Sequence, residues 1–162
     1  TILPILLYAA ETWTLLAEDL QKLETFQMRC LRTILGISLR DRWRNDDVRR
    51  VCCQQPRIEQ KIRQARLRWF GHVCRMEAGR LPKRLLERHR PPEWKIAPNA
   101  PRKTWISQIQ VEAKQLRVSI PELTKTTLDR EKWKGICMSV LCMTATAPIR
   151  HPYNLRPRPD RR

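Results

Sequence analysis

Glycine is scarce in this chain, at four of 162 residues, and its 16 acidic residues face 33 lysines and arginines. So few glycines leave no Gly-rich loop to cradle nucleotide phosphates, and no nucleophile elbow or Ser/His/Asp arrangement is present. With no alternating β-branched runs either, an all-β fold is disfavoured. Long apolar runs are also missing: the stretch from Ile2 to Ala10 falls well short of the roughly 20 residues that span a bilayer. No secretory signal is seen. The six cysteines (30, 52, 53, 74, 137 and 142) lack the spacing of a secreted disulfide framework. A reducing, intracellular setting, nucleus or cytoplasm, is the expectation, with no membrane partner.

What is abundant is positive charge. The formal net charge is +17 and the isoelectric point is near 10.7. An excess of this size repels itself unless a polyanion screens it, so phosphate is the expected partner. Arg outnumbers Lys, which suits bidentate phosphate contact and stacking. Between Arg29 and Arg90 there are 18 basic and 6 acidic residues, so this window carries +12 of the +17. The contact surface is expected there.

Periodicity predicts helices. Leu16, Leu20, Leu23, Phe26, Cys30, Leu31 and Ile34 recur at steps of three and four, and Gly36 stands where a left-handed cap belongs. Asn45-Asp46-Asp47 reads as an N-cap with acids in the first turn of a short helix. A longer helix is predicted from Arg57 to Met76, apolar on two sides. Its third side carries Arg57, Lys61, Gln64, Arg68, Gly71 and Arg75, so it should be central with a basic stripe exposed. Further helices are predicted at Lys83 to His89, Arg102 to Arg117, from Ser119 (a capping box with Pro in the first turn), and at Leu128 to Leu141. The opening apolar segment reads as either a short strand or a helical turn.

The resulting expectation is an all-α fold, a single helical domain of about six helices. Residues 1–15 are a short apolar edge of an upstream domain, and 16–89 a basic helical region. Residues 90–101 are a Pro-rich linker, 102–143 a second helical region, and 144–162 a disordered basic tail.

Chemistry is sparse. Cys52, Cys53, His72 and Cys74 invite a metal, but adjacent cysteines and a His two residues from a Cys on a helix do not make tetrahedral zinc spacing. No metal, cofactor or catalytic residue is therefore expected. The Asp46-Asp47 pair is accounted for by the helix start. Trp69, Trp105 and Trp133 fall on apolar stripes and should pack in the core. Trp43, between two arginines, and Trp94 in the linker are the candidates for base stacking.

Several segments occur in a telling order: Leu7-Tyr-Ala-Ala-Glu-Thr-Trp-Thr14, Met28-Arg-Cys-Leu-Arg-Thr-Ile-Leu-Gly-Ile37, Asp41-Arg-Trp-Arg-Asn45, Arg66-Leu-Arg-Trp-Phe-Gly-His-Val-Cys-Arg-Met76, Arg80-Leu-Pro-Lys83, Pro101-Arg-Lys-Thr-Trp105 and Asp129-Arg-Glu-Lys-Trp133. Together they resemble the C-terminal part of the endonuclease–reverse transcriptase polyprotein of non-long-terminal-repeat (LINE-type) retrotransposons. The resemblance implies a helical thumb with a basic extension, gripping a template–primer duplex or element RNA behind a polymerase site that lies upstream. It implies no catalysis by this chain in isolation, although the parent family is an RNA-directed DNA polymerase. Two departures stand out: the family has Gly where Ala9 or Ala10 stands, and Gly-Arg-Pro where Asn99-Ala-Pro101 stands.

The expected binding residues are Arg57, Lys61, Arg68 and Arg75, supported by Lys83, Arg84, Arg102 and Lys103. They would act on the phosphate backbone of RNA or DNA without base readout. The alternative is a protein-interaction module that packs against the upstream polymerase palm.

Overall fold

The computed structural model describes residues 2–87 and 103–142, and among them every regular element is helical. Eight α-helices follow in order, rather than about six: α1 (Ile2–Leu6), α2 (Ala17–Leu35), α3 (Asn45–Val51), α4 (Ile58–Cys74), α5 (Leu81–Glu87), α6 (Trp105–Gln115), α7 (Ile120–Leu128) and α8 (Arg130–Cys142). The linker 90–101, with Trp94, Arg102 and the tail 144–162 lie outside the described residues. The opening segment, which the sequence left between strand and helix, is helical as α1.

Local signals set the helix ends. Gly36 takes the left-handed conformation (φ 65°) and closes α2: its N–H donates to Thr33 and that of Ile37 to Arg32, satisfying two orphan carbonyls. At α7 the Ser119 N–H donates to the Glu122 carboxylate at 3.1 Å, the expected capping box, with Pro121 in the first turn. Helix α3 begins one residue earlier than its sequence suggests. Arg44 is the N-cap, and the Asn45 side chain instead accepts from the Arg32 guanidinium at 2.7 Å.

Helix α4 is central. It meets α2, α5, α6, α7, α8 and the 3-10 turn Ala10–Thr12, and three apolar clusters are arranged about it. The largest joins Leu67, Phe70 and Cys74 of α4 to Ile109 and Ala113 of α6, Leu123 of α7, and Trp133, Cys137 and Val140 of α8. A second packs Ile58 and Ile62 against Ala10, Leu3, Leu6 and Trp13. The third, Met28, Leu31 and Val48, joins α2 to α3. The stripe expected on α2 is turned toward these partners. Met28 and Leu31 are buried, while Phe26 and Ile34 face outward, because α3 and the start of α4 lie on the Gln27 side.

A buried ion pair crosses the domain. Arg66 of α4 donates to Glu112 of α6 at 2.5 Å, and both side chains are almost fully enclosed. The same guanidinium donates to the Trp13 carbonyl at 3.1 Å, and the Trp105 indole to that of Glu11 at 2.8 Å. These donors from α4 and α6 hold the segment after α1, where Ala9 sits in the left-handed region at φ 55°. A non-glycine residue persists there only when its surroundings over-determine it.

Candidate nucleic-acid interface

The basic stripe of α4 is interrupted. Gly71, which the periodicity set among its arginines, is buried beneath Trp133 of α8; a Cβ at Gly71 would lie 2.1 Å from the indole nitrogen. Gly71 so separates Arg68 from Arg75, and Gln64, which donates to the Cys137 carbonyl of α8 at 3.1 Å, divides Arg57 and Lys61 from both.

At the first end, Arg57 pairs with Asp46 at 3.2 Å. Lys61 is half-buried with its ammonium 3.3 Å from the Gln55 amide oxygen, and burial pulls its pKa below the usual lysine range. The neighbouring cleft carries Arg29, Arg32, Arg49 and Arg57 against Glu24, Asp46 and Glu59. Arg49 is paired with Glu24 and also lies near Asp46. Positive charge at this end is largely answered from within.

The other end is different. A cleft of about 620 Å³ between α4 and α8 carries Arg68, Arg75, Arg80, Arg130 and Lys134 against one acid, Glu77. Arg68, Arg80, Arg130 and Lys134 are all exposed, and none forms an ion pair among the described residues. Arg75 is committed in part, donating to the Thr127 carbonyl of α7 at 2.6 Å. Like charges gathered without counterions raise the local potential and favour a polyanion. The cleft's one thiol, Cys137, is pushed up to about 11 by burial, against the lowering pull of Arg68 and Arg75, so it stays protonated and inert.

The supporting residues are dispersed. Lys83 donates to the Cys74 carbonyl at 2.7 Å and pairs with Glu87, finishing the C-terminus of α4. Arg84 is exposed on α5, and Lys103 reaches the Leu15 carbonyl at 3.3 Å. Trp43 is half-buried against the α2–α3 cluster. Trp133 is buried and Trp105 half-buried in the main cluster. Cys52 and Cys74 belong to different clusters, and among the described residues no three His, Cys, Asp or Glu side chains are grouped to hold a metal ion.

Sequence reasoning passed over Arg80, Arg130 and Lys134. The signal for two of them was available: Arg130 and Lys134 stand four apart on α8 and so share a face.

Comparison with family models, curated proteins and solved structures finds no match to this chain. Among the described residues no helix is long and apolar enough to cross a membrane.

Proposed function

We propose that this domain binds nucleic acid through the phosphate backbone, with the α4–α8 cleft as the principal contact surface. The observation that carries the reading is the set of four exposed cations, Arg68, Arg80, Arg130 and Lys134, gathered without acidic partners among the described residues. Phosphate contacts of this kind give affinity and register but no sequence readout. The resemblance to the thumb and C-terminal extension of a LINE-type reverse transcriptase supports the same reading and suggests template–primer or element RNA as the ligand. On this reading the chain binds rather than catalyses, with polymerase chemistry supplied by an upstream domain. The test is the salt dependence of binding, because each neutralised phosphate releases counterions.

A second reading, a protein-interaction module, draws on α1. Ile2, Ile5 and Tyr8 are exposed by 62%, 79% and 82%, a row of apolar side chains beside the second cluster. By the same resemblance, its partner would be the polymerase palm. The two readings use different faces and are compatible in one molecule.

A further inference from the structure

Contact with a duplex backbone does not require an apolar floor, since in a duplex the phosphates lie outermost and the base faces are stacked away. The α4–α8 cleft has one. Between its cations lie Met76, half-buried just beyond α4, and Met138, 47% exposed on α8. Both line the cleft together with Trp133, which is fixed over Gly71 and packs on Phe70 with ring centres 6.0 Å apart. The volume of about 620 Å³ falls within the roughly 300–1,000 Å³ of clefts that enclose small flat ligands. Methionine is unbranched and polarizable, so a methionine floor adapts to rings of different outline.

We infer that the cleft takes single-stranded nucleic acid, seating one base on Met76 and Met138 while the flanking phosphates lie on Arg68, Arg80, Arg130 and Lys134. The inference rests on the phosphate-binding reading and narrows its ligand class. A stacked duplex has no base to offer such a floor, whereas a single strand offers one at every nucleotide. Sequence preference stays weak, because every base presents an aromatic face.

The experiment compares the full chain's affinity for three DNA probes at one salt concentration: a single strand, an abasic strand with the same number of phosphates, and a duplex. The ordinary single strand should bind about tenfold tighter than the abasic strand, the scale of one stacked base. A Met76→Ser, Met138→Ser variant, checked for parental helicity, should remove that difference and keep the salt dependence. Equal affinity for the first two probes, or tighter binding of the duplex, overturns the single-strand inference while phosphate binding stands. Absence of salt-dependent binding to any probe overturns both. The abasic comparison uses the parental protein, so the outcome does not depend on the variant folding.

Discussion

At the scale of single residues the most consequential group is Glu112. Its carboxyl is raised from an ordinary 4.5 to about 6, because burial disfavours its charge more than the nearby Arg66 and Arg63 favour it. A folded-state pKa above the unfolded one means that the native state holds this proton more tightly. The stability Glu112 contributes is therefore fully present below pH 4.5 and lost as pH rises to about 6. A displacement of this size corresponds to about 2 kcal/mol. Denaturant unfolding should show that fall in the parental protein and not in a Glu112→Gln variant, which keeps an acceptor for Arg66. Arg66→Ala should cost about 3–5 kcal/mol at pH 7, because it leaves the carboxylate buried without its partner, and less at pH 5, where that carboxyl takes up a proton. A loss from Arg66→Ala that is the same at pH 5 and pH 7 would contradict this assignment.

Ala9 is the second residue with a sharp expectation. Its φ of 55° costs an L-residue with a side chain what glycine does not incur. Ala9→Gly should raise stability by about 1 kcal/mol, read as an increase in the denaturant midpoint with an unchanged slope. A destabilised variant would show that the segment is relaxed there.

At the scale of elements, what was legible in the sequence was local. Gly36 and the Ser119–Glu122 box are each read from a few neighbouring residues, and as expected the first closes α2 and the second opens α7. The central place of α4 was also legible, because a helix apolar on two sides has to be covered twice. The continuity of its basic stripe was not. Gly71 has the right angular position for a stripe member, but whether that position is open depends on Trp133, which arrives from a helix far along the chain. Position on a helical wheel gives direction and says nothing of what lies there. Substitution at Gly71 tests the packing directly. The added methyl of Gly71→Ala would collide with a buried indole that has nowhere to turn, so α8 must shift from α4. A loss of about 1–3 kcal/mol is expected by thermal or denaturant unfolding. Parental stability would mean that Trp133 does not cover this point.

At the scale of the whole molecule the net charge of +17 makes a polyanion the expected partner but does not say where it would sit. Charge counted along the chain favoured the window from Arg29 to Arg90, yet several of its cations are answered by acids: Arg49 by Glu24, Arg57 by Asp46, Arg66 by Glu112. Acids supplied from other elements are invisible to a count by sequence, and they decide which positive charge stays available. Of the cations in no ion pair among the described residues, Arg68 and Arg80 share the α4–α8 cleft with Arg130 and Lys134, which lie outside that window.

The salt slope of binding is the direct measure of this claim. Replacing Arg68, Arg80, Arg130 and Lys134 together by Gln should leave the helical signal and melting temperature near parental, since none of the four is in an ion pair among the described residues. The slope of log affinity against log salt should shrink by roughly 0.7 to 0.9 for each lost contact, about three in all, and alike for unrelated sequences. Arg57→Gln with Lys61→Gln, at the internally neutralised end of α4, should change it little. A folded quadruple variant that retains the parental slope would contradict the placement of the binding surface in the α4–α8 cleft.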